Sequence, residues 1–577
     1  MSYIENLQSW LDSPYVQEAL KQEIRRITDK KEQAEAFGQE LAFGTGGMRG
    51  IMGPGNNRIN YYTLGRAIRG LAQWLHQEEN QAAGKLPEAK AAESAKTAKT
   101  VVIAYDTRHN SWEYGKLTAM ILAEEGIKAC LFAEPTPTPV LSYAVRQLEA
   151  DAGLVITASH NTKEYNGVKV YNAAGCQLVP KEAEPLMALI RELPLLCPLP
   201  EEDWGALVAE GKIRLLKDEV PQQFLRQIEG EALLEDKDIK EALSIVYTPL
   251  HGAGNLYVRQ ALAAAGFSQV KVVTEQKYPD GDFPTVLQPN PEDTRALVMA
   301  MELALKSKAH VVLGTDPDSD RLGAAVFHEG NFKNLTGNQI GVLLADYLLT
   351  RKKALDSLPS QGVFINTIVT STLGERIAEA YGLKIIKTLT GFKYIGEQMN
   401  ILAELAPAAE KETFVFGYEE SNGFLVSDYA RDKDAIGAAL IFCEAAAYWL
   451  ARGKTLVDRL EELYQTYGYY LDALDTFTFR GREGQMKMDG FMDSLRQSGE
   501  TALPAVRAVE DYSLGLYGLP QENVLRFVLE EEAWVAVRPS GTEPKLKIYY
   551  SVAGEDREQA QVKLDQLKKI MHELIEK

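Results

Sequence analysis

A chain of 577 residues, 45% hydrophobic and 25% charged, has an ordinary globular composition and room for three to five domains. Its formal charge of −19 argues against nucleic acid as a partner. No apolar run approaches the ~20 residues that cross a bilayer, so no membrane association is expected. Residues 1–30 are charged and amphipathic without a signal-peptide core. Cys130, Cys176, Cys197 and Cys443 are widely spaced and show no zinc pattern, which suits buried thiols in a reducing cytoplasm.

In chain order, Gly44-Thr45-Gly46-Gly47-Met48-Arg49-Gly50 is a glycine-rich opening, and residues 77–100 form an Ala/Lys/Glu/Gln-rich stretch predicted as an exposed helix or excursion. A strand–helix–strand pattern then runs through 101–105, 114–125 and 129–133. The apolar strand 152–156 ends in Thr157-Ala158-Ser159-His160-Asn161. Ligands of α/β sheets sit outside the carboxyl ends of strands, so Ser159 is offered to a cleft and could carry a phosphoryl group. A loop serine making a local turn bond is the plain alternative. The proline-rich stretch 193–202 reads as the start of a connection out of the first domain.

The pattern recurs at 245–248, 256–265 and 270–274. Strand 311–313 leads into Gly314-Thr315-Asp316-Pro317-Asp318-Ser319-Asp320-Arg321. Asp316, Asp318 and Asp320 at spacing two would share one side of an extended backbone. Their mutual repulsion calls for a hard divalent cation, Mg²⁺ first. An EF-hand is excluded by Arg321 and Phe327 where its glycine and glutamate belong. An aspartate-phosphatase loop of the haloacid-dehalogenase type fits the crowded acids less well.

After a third unit (363–368, 373–381, 383–386), strand 414–416 leads into Gly417-Tyr418-Glu419-Glu420-Ser421-Asn422-Gly423, whose carboxylate and hydroxyl groups suit sugar hydroxyls. Glu420 reads as structural or solvated. Arg431-Asp432-Lys433-Asp434 opens the apolar helix 435–450. A cation is out of place at a positive helix end, so Lys433 is read as binding an anion or moving a proton. The strands 476–480, 525–529 and 546–550 and the closing helix 556–577 suggest a smaller α+β unit. Within it, Arg538-Pro539-Ser540-Gly541-Thr542-Glu543-Pro544-Lys545 supplies guanidinium, hydroxyl and backbone donors for a phosphate cradle.

These loops, in this order, resemble those of the α-D-phosphohexomutase superfamily, the phosphoglucomutase and phosphomannomutase enzymes, from Phe43 to Tyr550. The longer form Thr162-Lys163-Glu164-Tyr165-Asn166-Gly167 and the Glu-Glu-Ser sugar loop look closest to bacterial α-phosphoglucomutases. The resemblance implies four α/β domains around a central cleft: three related mixed-sheet domains (1–213, 214–327, 328–468) and a smaller C-terminal α+β domain (469–577). It implies a phosphorylated Ser159, Mg²⁺ held by Asp316, Asp318 and Asp320 and touching Ser159, and glucose 1,6-bisphosphate as intermediate and activator. Arg538, Ser540, Gly541 and Thr542 would hold the idle phosphate, Glu419 and Ser421 the sugar, and Thr45, Arg49, Arg321, Thr390 and Lys433 the rest of the ligand. Thr390 lies in Leu389-Thr390-Gly391-Phe392-Lys393, similar to a family loop beside the sugar. Lys433 and His160 are both candidates for the proton acceptor. Glucose phosphates are the expected substrates, with mannose or pentose phosphates as alternatives; a phosphatase or a non-catalytic sugar-phosphate binder is a poorer fit. A monomer or small homo-oligomer is expected.

Overall fold

Alternating apolar strands and amphipathic helices build mixed sheets in the first three units: strands joined through a helix pair parallel, and strands joined by a hairpin pair antiparallel. The structure, a computed structural model, describes residues 2–44, 46–83, 99–404, 412–479, 481–540 and 545–576. The Ala/Lys/Glu/Gln-rich stretch is helical in Tyr61–Ala83, and residues 84–98 lie outside the described residues.

The first sheet has six strands in the order Gly47–Ile51, Tyr165–Asn172, Ala152–Ile156, Thr100–Tyr105, Lys128–Phe132, Ile213–Leu216. The second has five, ordered Asn331–Leu335, Leu322–His328, Val311–Thr315, Ile245–Thr248, Val270–Val272. The third has four, ordered Lys384–Thr388, Gly362–Thr367, Thr413–Glu419, Gly423–Leu425. The fourth is an antiparallel sheet of five: Tyr469–Thr478, Lys545–Gly554, Trp534–Pro539, Leu525–Leu529, Val506–Asp511.

One arrangement recurs. Ala152–Ile156, Val311–Thr315 and Thr413–Glu419 each run parallel to an earlier strand and then pair antiparallel with the strand that follows. The serine, acid and sugar loops are these three hairpin connections. The phosphate loop is likewise the hairpin connection between Trp534–Pro539 and Lys545–Gly554. All four motifs therefore sit at the carboxyl end of an almost wholly buried strand.

Two expectations are corrected. The stretch 193–202 does not leave the first unit: it leads through the helix Trp204–Ala209 to Ile213–Leu216, which pairs parallel with Lys128–Phe132 and closes the first sheet. The C-terminal strand expected at 476–480 begins earlier, at Tyr469, and ends at Thr478.

The first three units share one core. Helix Ala435–Leu450 is buried along nearly its whole length, so it is apolar on every face and packs against helices of neighbouring units. Its one charge, Glu444, is fully buried. It accepts hydrogen bonds from Leu233 N (2.8 Å), Leu234 N (3.2 Å) and the Tyr347 hydroxyl (3.1 Å), and pairs with Lys240 at 3.2 Å. The carboxylate thus ties the segment after the second domain's first helix to the third domain. No helix among the described residues is long and apolar enough to cross a membrane.

Replacing Glu444 by Ala strands a buried ammonium and two amide donors, a change expected to cost about 3–5 kcal/mol. Scanning calorimetry should show it in the transition that unfolds the joined units; a loss below about 1 kcal/mol would contradict this role.

Candidate active site

Ser159 is 3% exposed and takes a left-handed backbone, φ +51°. For a residue with a Cβ this costs about 1–3 kcal/mol, so the surroundings must enforce it. They do so from beneath. Asp106 accepts a bond from the Thr157 hydroxyl (2.7 Å), and that oxygen accepts the Ser159 amide (2.7 Å). Arg108, paired with Asp106 at 3.2 Å, donates to the carbonyls of Ser159 and Asn161 (2.5 Å each), Thr162 (2.7 Å) and Tyr165 (3.1 Å). One guanidinium therefore grips four carbonyls of the serine loop while stacking on Phe283 of the second unit, 5.0 Å away.

The Ser159 hydroxyl crosses to the second unit. Its Oγ donates to Asp316 Oδ2 at 2.8 Å and lies 3.2 Å from His160 Nδ1. Asp316, Asp318 and Asp320 are all essentially unexposed, and each offers an oxygen within 4.8 Å of the others. The extended backbone expected for them is not what brings them together. The segment curls through a turn with Ser319 at φ +52°, and the Asp320 and Arg321 amides fold back onto Asp316 Oδ1 at 3.1 and 3.0 Å.

Cations hold this cage. Lys169 Nζ donates to Asp318 and Asp320 at 2.7 Å each, and Lys433 Nζ lies 2.9 Å from Asp320. The Thr138 hydroxyl adds a bond to Asp318 at 3.0 Å. Burial alone would raise every acid, but Lys169 outweighs it at Asp318, and Lys169 with Lys433 at Asp320, so both are held below the ordinary range. Asp316, buried beside those two charges, is pushed well above it. Asp318 Oδ1 and Asp320 Oδ1 are buried with no hydrogen-bond partner among the described residues. Two orphaned carboxylate oxygens beside Asp316 and an alcohol form an all-oxygen donor set that fits a hard divalent cation.

Above the cage opens a cleft of about 620 Å³, and Arg49, His160, Arg321, Thr390, Glu419, Ser421, Lys433, Arg538 and Ser540 all line it. Thr45, Gly541 and Thr542 lie outside the described residues. Arg49 donates to Asn161 at 2.8 Å, and Arg321 is in contact with Glu292 and stays firmly charged. Glu419 is buried beside Lys433 and Arg321, and the approach is close. A Cβ at Gly423 would come within 2.5 Å of Lys433 Cδ, which is why the loop ends in glycine. Lys433 does not lie in the first helical turn: Asp434 caps the helix, accepting from the Ile436 and Gly437 amides. Burial would lower the Lys433 ammonium, but Asp320 and Asp432 hold it above the usual lysine range. His160 is lowered by burial, then by Arg321 and Arg49. Across the cleft, Arg538 donates to Glu522 at 2.9 Å, and the Ser540 amide to Lys545 O at 2.7 Å.

Sequence reading missed Lys169, Arg108, Asp432 and Glu292. Lys169 carried a signal, a lone charge inside the apolar strand Tyr165–Asn172. Glu420 is not simply solvated: it lines the cleft, and burial followed by Glu419 pushes it up to about 7.

A fold of four units, each lending one loop to a cation-lined cleft above an acid cage, defines a class of protein suited to anionic ligands, with an acid cluster that could hold a metal. The family models agree. The chain matches phosphoglucomutase/phosphomannomutase α/β/α domains I, II and III over residues 40–194, 222–330 and 336–467, and the C-terminal domain over 493–568. It is 36% identical over 564 residues to a phosphoglucomutase of Staphylococcus epidermidis, covering 94% of this chain and 96% of the relative. A Staphylococcus aureus phosphoglucomutase is 36% identical over 541 residues, covering 91% and 92%. In fold it is similar to the open form of the Paramecium phosphoprotein parafusin, a phosphoglucomutase (TM-score 0.69, 17% identity, 94% of this chain and 95% of that one). It is also similar in fold to a phosphoglucomutase/phosphomannomutase family protein of Burkholderia thailandensis (TM-score 0.66, 17% identity, 92% and 97%). The chain belongs to the phosphoglucomutase/phosphomannomutase family of enzymes.

Two predictions follow from the charges. A divalent cation at 100 times its dissociation constant should stabilise the protein by about 2.7 kcal/mol. The Asp318→Asn/Asp320→Asn variant should lose that shift in thermal unfolding; a shift of unchanged size would place the metal elsewhere. Glu420 is raised in the fold, so its stabilising contribution is complete below its unfolded value near 4.5 and is lost as pH rises through about 7. Glu420→Gln should therefore gain stability relative to wild type between pH 5 and pH 8, and a difference independent of pH would contradict the assignment.

Proposed function

We propose that the protein is a phosphoglucomutase. It interconverts glucose 1-phosphate and glucose 6-phosphate through phosphorylated Ser159 and a bound glucose 1,6-bisphosphate. The observation that carries this reading is the 2.8 Å bond from Ser159 Oγ to Asp316 Oδ2, which joins an alcohol to the acid cage. Mg²⁺ is the proposed occupant of that cage, where its charge would stabilise negative charge developing on the transferring oxygens.

In the forward half, the bond from phosphorus to Ser159 Oγ breaks as a free hydroxyl oxygen of the sugar bonds to phosphorus. The proton of that hydroxyl must leave with it. His160, facing the cleft at 3.2 Å from Ser159 Oγ, is placed to receive it and to hand a proton to the departing Ser159 Oγ, whereas Lys433, held charged by two carboxylates, acts as a cation. The bisphosphate then turns end for end, and its other phosphate returns to Ser159. Positioning does most of the work in such a transfer. Arg108 and Thr157 hold the serine, and Lys169 and Lys433 offset the acids that crowd it.

The idle phosphate sits against Arg538 and Ser540, with Lys545 and Lys547 on the same wall. Glu419 and Ser421 take the sugar hydroxyls, which donate and accept in either orientation of the ring. A sugar phosphate filling the cleft, which all four units wall, would exclude water from the phosphoserine, which would otherwise be hydrolysed. Cytoplasmic residence accords with four free cysteines.

Ser159→Ala should reduce turnover by about 10⁴-fold or more with the unfolding temperature little changed, and substantial residual mutase activity would refute the nucleophile. Arg538→Ala should raise KM for glucose 1-phosphate about tenfold or more, one charge-assisted contact having been lost; an unchanged KM and kcat would remove Arg538 from the phosphate site. Among glucose, mannose and ribose 1-phosphates assayed with Mg²⁺ and glucose 1,6-bisphosphate, glucose should give the highest kcat/KM. A higher value for either of the others would change the assigned substrate.

A further inference from the structure

Buried cations in this acidic protein are paired. Among the described residues, every other arginine or lysine less than about a tenth exposed has a carboxylate within 4.0 Å, Arg108 with Asp106 and Arg526 with Glu510 among them. Arg431 is 5% exposed and has none among the described residues. Its neighbour Arg146, on the helix Thr138–Gln147 of the first unit, has none either.

The two guanidinium groups lie side by side across the seam between the first and third units. Arg146 donates to the carbonyls of Asp428 and Tyr429 at 2.8 Å each. Arg431 donates to the same Asp428 carbonyl at 2.6 Å, to Ala430 O at 2.9 Å, and to Asn400 Oδ1 at 2.9 Å. Carbonyls satisfy donors but do not neutralise charge. Burial, and then the charge of Arg146, push the Arg431 guanidinium down to about 10, with the more distant Asp428 carboxylate opposing. Two like charges that repel in a sheltered place are relieved by a ligand of opposite charge. The same logic reads the acid cage as a cation site.

A shallow, open cavity of about 480 Å³ lies over the pair. Its lining sets the chemistry. Guanidinium groups match tetrahedral oxyanions, which accept two bonds at once. Three carboxylates also line the cavity: Glu149, Asp151 and Glu404. Asp151 is already paired with Lys99 at 2.8 Å. Glu149 and Glu404 would repel a bare polyanion but accept hydrogen bonds from hydroxyls.

We propose that Arg146 and Arg431 form a second ligand site, taking the phosphate of a small phosphorylated polyol inward and leaving its hydroxyls to Glu149 and Glu404. The site is not part of the catalytic cleft, yet it shares a strand of backbone with it. Asp432, next in the chain, accepts from the Tyr171 hydroxyl at 2.7 Å, and Lys433 follows with its bond to the acid cage. The loop thus has its outer face on the arginine pair and its inner face on the catalytic charges.

Calorimetric titration with glucose 6-phosphate tests this, with turnover blocked by Ser159→Ala. Two equivalents should bind, and Arg146→Gln should weaken one of them about tenfold or more while the other keeps its affinity. Inorganic phosphate should displace that same equivalent, whereas glucose should not. Arg431→Gln should act alike; if it fails to fold, Arg146→Gln decides alone, because its half-buried side chain can be replaced with less disturbance. A single equivalent in the Ser159→Ala protein, or two that Arg146→Gln leaves unchanged, overturns the proposal. Arg538→Ala separates it from the cleft reading, since that change should weaken only the equivalent that Arg146→Gln spares.

Discussion

The contact from Ser159 Oγ to Asp316 Oδ2, 2.8 Å between loops of two different units, is the constraint on which the rest of this structure depends. Neither loop is stable in its observed form alone. Ser159 occupies a left-handed backbone that Arg108 and Thr157 impose, and three acids crowd one buried spot only because Lys169 from the first unit and Lys433 from the third reach into it. The site is therefore a property of the assembled units. The shared core around helix Ala435–Leu450 keeps them in register.

Charge explains how a protein of net −19 can draw in an anion. Three acids sit in a cage below the cleft, and its walls carry six cations, Arg49, Arg321, Lys433, Arg538, Lys545 and Lys547, against four carboxylates, Glu292, Glu419, Glu420 and Asp472. Several wall cations have a carboxylate close by, Arg321 with Glu292 and Arg538 with Glu522. Such partners orient a guanidinium without removing it from the cleft, so its remaining donors face an arriving phosphate. Focusing of the field by local cations, rather than total charge, governs attraction over distances near the Debye length.

What sequence made legible was the recurrence of buried strand, polar loop, returning strand. It placed Ser159, the three aspartates, Glu419 and Arg538 at strand ends, because an apolar run must stop where the chain meets solvent or ligand. Three things stayed hidden. The curl of Asp316 to Asp320 depends on left-handed Ser319 and on two amides folding back, whereas alternation along a strand is the only geometry that spacing suggests. Lys169 and Arg108 act through partners far away in the chain, and no local pattern marks a lysine as the counterion of acids about 150 residues on. The return of Ile213–Leu216 to the first sheet was masked by prolines that resemble a linker. Glu420, read as structural or solvated, lines the cleft, and its burial beside Glu419 leaves no local mark in the sequence.

The central claim concerns a phosphoryl group that Ser159 gives and takes back. Rapid-quench measurement on protein carrying labelled phosphate tests it most directly. On mixing with glucose 6-phosphate, the label should leave Ser159 for the sugar at a rate at least equal to kcat and reappear in glucose bisphosphate before any inorganic phosphate forms. Label that stays on Ser159 through many turnovers, or passes straight to water, would contradict the account.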